Sequence, residues 1–343
     1  MTVKGRALTI QNWPKADREA WKRTCLPGLR LRPGGAAARM KHSTRASLIR
    51  SYGYLLDHCL RREIFDPSAG AARYVTPDII DGFLQELNVR VSSVSRASYI
   101  SKIRRVATIF APERDFTWLA EIESDLRYLA RPRPKYGRII SSERLFRLGI
   151  EVMRRGEEST NLTELARARL VRDGLMIALL ALCPIRLRNL ADLRLGQHLR
   201  KIGETWWIIL TASETKSNRP DERPVPEVLT TFIDRWVDHW RRFFRGAADA
   251  VWPSIKGGRL AYTYVGNIIT KTTFRELGVA VNPHLFRDCA VYTVASTAGD
   301  QMGIACGLLQ HSDPRVTEKH YNRGAISAAS RRYQAIIRAM IDP

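Results

Sequence analysis

The chain is short of acid. It has 34 Asp and Glu against 56 Lys and Arg, a formal net charge of +22. An excess of that size opposes a compact fold by self-repulsion unless a polyanion is the working partner. Nucleic acid is the first candidate, because Lys and Arg displace the counterions condensed on phosphates. A membrane surface is second, but the basic residues run through the whole chain and are not gathered beside an apolar anchor. Cysteine is scarce too: Cys25, Cys59, Cys183, Cys289 and Cys306 are odd in number and widely spaced, with no C-x-x-C pair. That argues against a disulfide framework or a zinc knuckle, and for a reducing compartment. The longest apolar run, Leu175 to Pro184, falls far short of the roughly 20 residues that span a bilayer. Met1-Thr2-Val3-Lys4-Gly5-Arg6 leads into no apolar signal region. A Gly-rich phosphate loop and a metal-holding acidic cluster are both missing. These absences predict a cytoplasmic protein with no membrane partner, no metal and no cofactor.

What is present is mostly helical pattern. A chain of 343 residues with 45% hydrophobic content predicts two domains with sizeable cores. Residues 1–35 read as an N-terminal extension with one helix, Pro14 to Thr24, closed by Pro33-Gly34-Gly35. Residues 36–134 read as a small helical domain. Leu48, Ile49, Tyr52, Leu55, Leu56, Cys59 and Leu60 recur at helical steps, and Thr76-Pro77-Asp78 starts a second helix with a capping hydroxyl and an early proline. A third helix follows Ser92 and turns Ile100, Ile103 and Val106 inward, leaving Arg96, Lys102, Arg104 and Arg105 on its other face. A fourth runs from Trp118 to Leu129. A basic helix face is often merely solvated; here net charge favours contact with DNA phosphates. Arg131-Pro132-Arg133-Pro134-Lys135-Tyr136-Gly137-Arg138 is stiff, basic and unable to be helical. Its Arg131, Arg133 and Lys135 suit a phosphate backbone, and residues 135–140 read as the linker between domains.

Residues 141–343 form the second expected domain. Its predicted helices are Glu143 to Arg155, Leu162 to Leu182, Val228 to Phe244, Tyr264 to Leu277, His284 to Ala298, Met302 to Leu309 and Ala325 to Met340. Between them a strand at Trp206 to Leu210, a polar turn and a second strand near Val225 make a small antiparallel sheet.

Several residues in this half can carry chemistry, although each has an ordinary reading alone. Arg186, after the helix closed by Pro184, suits a helix-end partner for carbonyls. Lys216, in the polar turn Ser213 to Asp221, suits solvent. His284 and Arg287 lie three apart at a helix start set by Asn282-Pro283, where free N–H groups and the helix dipole attract phosphate. His311 suits a buried structural histidine, and Tyr321 a packing tyrosine.

Their order is what stands out: Arg, Lys, His-x-x-Arg, His, Tyr. In this the chain resembles the tyrosine recombinase (phage integrase) family, over nearly its whole length. Pro184-Ile185-Arg186-Leu187-Arg188-Asn189-Leu190 resembles the family's first-arginine motif, and Lys216 falls in the hairpin that carries its lysine. His284-Leu285-Phe286-Arg287 is similar to its His-x-x-Arg box, Leu308-Leu309-Gln310-His311-Ser312 to its Leu-Gly-His motif, and Tyr321 to its nucleophile. Three positions depart from the pattern. Asn189 stands where Glu is usual, which weakens the expected support of Arg186. Gln310 replaces a glycine, and the step from His311 to Tyr321 is about a residue longer than the commonest family spacing, leaving His320 as a minor rival for a polar role.

The resemblance implies a mainly α fold: a helical SAM-like core-binding domain, then a mixed α+β catalytic domain with a small antiparallel sheet. It implies strand breakage and rejoining through a 3′-phosphotyrosyl intermediate, with Arg186 and Arg287 on the non-bridging oxygens and Tyr321 as nucleophile. His284 would take up or relay its proton, His311 would bond the phosphoryl group, and Lys216 would protonate the leaving 5′ oxygen. The implied partners are double-stranded DNA bearing specific recombination sites and, on it, a homotetramer. The amphipathic segment with Ile326, Tyr333, Ile336, Ile337, Met340 and Ile341 is expected to dock, on its own domain or on a neighbouring protomer. Alternatives are a type IB topoisomerase, a non-cutting DNA-binding protein on the same fold, and a metal-dependent nuclease built on His284, His311 and His320.

Overall fold

The computed structural model describes residues 6–132, 134–297, 302–309 and 334. The chain divides into two units, Met1–Arg133 and Pro134–Pro343. In the first, α1 (Lys15–Cys25), α2 (His42–Arg61), α3 (Pro77–Arg90), α4 (Ser93–Phe110) and α5 (Thr117–Tyr128) surround one core. The inward faces are those the helical period selects: Tyr52, Leu55, Leu56 and Cys59 of α2, Ile80 and Phe83 of α3, and Ile100, Ile103 and Val106 of α4 are all buried. Ser92 caps α4 by accepting from the Ser95 N–H. The Thr76 hydroxyl makes no such bond, so the start of α3 rests on Pro77 in its first turn.

The segment expected as an extension is part of this core. Trp13, Ala20 and Trp21 are buried in it, and the Trp13 ring meets Tyr52 edge-on at 5.1 Å. A polar contact pins the same segment: fully buried Asp17 accepts from the Tyr52 hydroxyl and the Ala72 N–H, both at 2.8 Å. Nothing in the sequence of α1, with its four basic residues, marks Asp17 as a buried carboxylate.

The second unit is built on a helix pair, α6 (Ser142–Glu158) and α7 (Glu164–Leu182). Residues 174–181 are buried on every side, as an all-apolar helix requires. The two helices touch backbone to backbone, for a Cβ on Gly174 would lie 2.5 Å from the Gly149 carbonyl oxygen. After the short α8 (Leu187–Ala191) comes an antiparallel sheet in the order β1 (Leu199–Ile202), β2 (Thr205–Leu210), β3 (Asp221–Pro224). On β2 Trp206, Ile208 and Leu210 point inward, the period of two that made this strand legible. β1 was not expected, yet Gly203-Glu204 is a two-residue hairpin signal: Ile202 pairs with Thr205, and Gly203 takes φ +59°.

The helix expected over 228–244 is broken. Only Thr230–Asp238 is α-helical (α9), and a 3₁₀ turn follows at Trp240–Phe243. Where the chain turns back, Arg241 donates to the carbonyls of Ala250 (2.9 Å) and Ala247 (3.2 Å). The last described elements are α10 (Tyr262–Leu277), α11 (Pro283–Thr297) and α12 (Met302–Leu309).

Candidate active site

Pro184 cannot continue α7, so the chain leaves it extended and Arg186 becomes the residue that opens α8. α8 is held from behind, where the buried Trp252 indole N–H donates to the Leu190 carbonyl at 2.8 Å. Arg186 is half-buried. Loss of solvent lowers the pKa of its guanidinium, and the nearby Asp221 carboxylate works against that.

α11 brings the second arginine to the same place. Arg287 is buried, and its guanidinium donates to the Pro184 carbonyl at 2.7 Å and to the Leu309 carbonyl at 2.5 Å. The first bond ties it to the turn that presents Arg186; the second ties it to the end of α12. Burial, and then the charges of Arg186 and Arg223, lower its pKa to about 10, with Asp221 and Asp288 opposing. It is still a cation at neutral pH. The start of α11 is not the open phosphate cradle expected of it: Asn282 Oδ1 accepts from the His284 and Leu285 N–H groups at 3.1 and 3.2 Å. The helix is capped from within, which leaves anion binding to the side chains.

His284 lies exposed on the first turn of α11. Partial desolvation lowers its pKa; Asp288 pulls the other way, and Lys135, Arg287 and Lys216 lower it further. The imidazole is therefore neutral at pH 7 and able to accept a proton.

Lys216 is exposed in the β2–β3 connection, whose base is firmly tied. The Glu214 carboxylate accepts from the Thr211 N–H (2.8 Å), the Thr211 hydroxyl (2.7 Å) and His198 Nε2 (2.8 Å). The Arg194 N–H donates to His198 Nδ1, so the ring proton belongs on Nε2. Together these bonds, those of Thr211 foremost, hold the Glu214 carboxyl at about 2. The buried Asn189 amide donates to the Glu214 carbonyl at 3.0 Å. Asn189 therefore supports the lysine loop, and not Arg186 as its position in the motif suggested. The acid near Arg186 comes instead from β3.

Arg186, Lys216, His284 and Arg287 thus occupy one region of the second unit, Lys216 and Arg287 acting on the ionisation of His284 and Arg186 on that of Arg287. His311, Tyr321, Arg133 and the amphipathic segment 326–341 lie outside the described residues. Two of the basic residues expected on DNA are engaged within the protein: Arg104 pairs with Glu123 at 2.9 Å, and Lys135 with Asp288 at 2.8 Å. Arg96 donates to the Asn88 side chain at 2.7 Å, Lys102 is partly buried, and Arg105 and Arg131 are exposed. Sequence reasoning missed Asp221 and Arg223, a single acid–base alternation on a four-residue strand. Among the described residues no group of three or more His, Cys, Asp or Glu is placed to hold a metal ion, and no helix is long and apolar enough to cross a membrane.

No protein-family profile and no curated protein sequence matches the chain. Solved structures do. The chain is similar to the XerH site-specific recombinase bound to difH substrate before cleavage, at 12% identity and a TM-score of 0.54, over 84% of this chain and 78% of that one. It is also similar to the Tn1549 transposon integrase in complex with transposon right end DNA, at 10% identity and a TM-score of 0.57, over 94% of this chain and 99% of that one. The chain has the fold of the tyrosine recombinases. At these identities the likeness is one of fold.

Proposed function

We propose that the chain is a tyrosine site-specific DNA recombinase, which cuts and rejoins DNA strands through a 3′-phosphotyrosyl link. The observation that carries this reading is the union of Arg186 and Arg287 through the Pro184 carbonyl, with neutral His284 and the lysine loop beside them. A phosphodiester resists attack because its anionic oxygens repel nucleophiles. The two guanidiniums, that of Arg287 fixed by its two carbonyl contacts, would bind those oxygens and stabilise the charge that builds up on the phosphorus centre. A tyrosine hydroxyl has a pKa near 10 and attacks slowly unaided, so the neutral imidazole of His284 is suited to receive its proton.

Tyr321 is the proposed nucleophile: its oxygen forms a bond to phosphorus as the bond to the 5′ oxygen breaks, and Lys216 delivers a proton to that leaving oxygen. Because the link conserves bond energy, a 5′ hydroxyl from another strand reverses the step without an outside energy source. The XerH and Tn1549 proteins were both captured on DNA, and the +22 charge of this chain suits the same partner. Exchange between two duplexes needs four cuts, hence four protomers on the DNA. His311 is proposed to bond the phosphoryl group. Arg105 and Arg131, exposed, are the better candidates for backbone contact than Arg104 and Lys135.

The test uses duplex DNA from the region flanking the gene, nicked beside candidate sites so that the cleaved end is lost and the link is trapped. The expected result is a protein–DNA adduct on denaturing electrophoresis, unaffected by EDTA and abolished by Tyr321→Phe while binding persists. Cleavage that stops in EDTA and yields no adduct would contradict the reading. Relaxation of supercoils without exchange between sites would point to a type IB topoisomerase.

A further inference from the structure

α12 is only eight residues long and has a small apolar footing, in which Ala305 and Leu309 pack on Val291 and Ala295 of α11. The last four carbonyls of any helix lack partners within it and carry the negative end of its dipole. Here two of them are taken by arginines from two different elements. Arg287 of α11 donates to Leu309 O, and Arg223 of β3 donates through Nη1 to Leu308 O at 3.1 Å. The remaining groups of Arg223 are also used: Nε and Nη2 grip the two oxygens of Asp221 at 2.7 and 2.8 Å. Asp221 is buried and Arg223 half-buried, so solvent does not level this pair.

We infer that Asp221 and Arg223 form a clamp that positions the end of α12, on which Arg287 also bonds, relative to the hairpin that carries Lys216. The inference rests on the recombinase reading for its catalytic consequence, but not for the clamp itself. Three observations support a clamp over an incidental ion pair. The contact is to a backbone carbonyl, so it fixes where the chain lies whatever side chain stands at Leu308. It needs a planar fork plus a further donor, which an arginine provides and a lysine does not. It also joins β3, at the edge of the sheet, to the helix end on which Arg287 bonds, so the hairpin of the proposed general acid and the proposed phosphate-binding arginine share one support. Arg223 is thus a positioning residue, acting through α12, and its own charge is matched by Asp221.

The experiment compares the full-length wild type with Arg223→Met, Arg223→Lys and Asp221→Asn. Hydrogen exchange is read first, without DNA. Amides of residues 302–309 should exchange at least about 10-fold faster in Arg223→Met, while those of α7 keep their wild-type protection and report an intact unit. On the nicked duplex, Arg223→Met should form adduct about 10- to 100-fold more slowly, with DNA affinity within about 3-fold of wild type. Arg223→Lys should recover part of that rate, and Asp221→Asn should show a smaller defect of the same kind. Unchanged exchange in residues 302–309 would overturn the clamp. Faster exchange with an undiminished adduct rate would overturn its catalytic role. A loss of DNA affinity as large as the loss of rate would make Arg223 a DNA contact. If the wild type forms no adduct, the recombinase reading and the catalytic role fall together, while the exchange data still judge the clamp.

Discussion

Each unit of this protein buries an aspartate at a junction, and the two are treated in opposite ways. In the first, Asp17 receives only neutral donors, the Tyr52 hydroxyl and the Ala72 amide, and burial raises its pKa to about 6. In the second, Asp221 is gripped by the Arg223 fork and favours the charged forms of nearby Arg186 and Arg287 against the burial that lowers their pKa values. The first arrangement joins α1 to α2 and serves stability alone. The second leaves more guanidinium than carboxylate in a partly buried place, an arrangement that costs stability unless an anion completes it. The contrast separates a carboxylate that neutral donors hold in a core from one set among an excess of guanidiniums.

The largest expected effect is in the second unit. Arg287→Ala should slow adduct formation by about 10³-fold in single-turnover assays, since it would remove the donor proposed for the phosphoryl oxygens, while the unit stays folded by circular dichroism. If it unfolded the chain instead, Arg287 would be as structural as Asp17 and the contrast would collapse.

A smaller effect should appear in the first unit and only in stability. Between about pH 6 and the ordinary carboxyl value of 3.8 the native state holds a proton on Asp17 that the unfolded chain has released. Stability of this unit therefore rises as pH falls through 6, and the full gain, on the order of 3 kcal/mol, is in place below 3.8. Glu86 limits the window: although burial opposes it, hydrogen bonds from Arg61, His58 and Arg90 hold its carboxyl at about 2, so its support fades as pH drops below 4.5. Hydrogen exchange of α2 and α4 amides between pH 7 and 4.5, corrected for intrinsic rates, should show the rise in wild type and a flat response in Asp17→Asn. A flat wild-type response would mean that Asp17 is not the buried acid described.

The smallest effect concerns the scaffold behind the site. Gly174→Ala puts a methyl group against the Gly149 carbonyl and should cost about 1–3 kcal/mol in denaturant titrations. Its adduct rate should fall far less than that of Arg287→Ala, because α7 reaches the site only at its end.

Much of this was open to sequence reading. α7 announced itself by an apolar run closed by Pro184, β2 by strict alternation, and the motif arginines and His284 by their order along the chain. The remainder depended on partners distant in sequence. Asp17 looks like an ordinary first-turn acid of a basic helix until Tyr52 and Ala72 arrive from elsewhere. Arg104 and Lys135 look free for phosphate until Glu123 and Asp288 claim them. β1 exposes Arg200, Lys201 and Ile202 and so lacks the inward alternation that betrays a strand. Asn189 was misjudged because its neighbour in sequence, Arg186, is not its partner in space.

The most direct test of the account is to locate the bond itself. The trapped adduct, digested with nuclease and trypsin, should give by mass spectrometry a nucleotide-bearing peptide that contains Tyr321, with the modification on its phenolic oxygen. A nucleotide found on His320 or on any other residue would contradict the account.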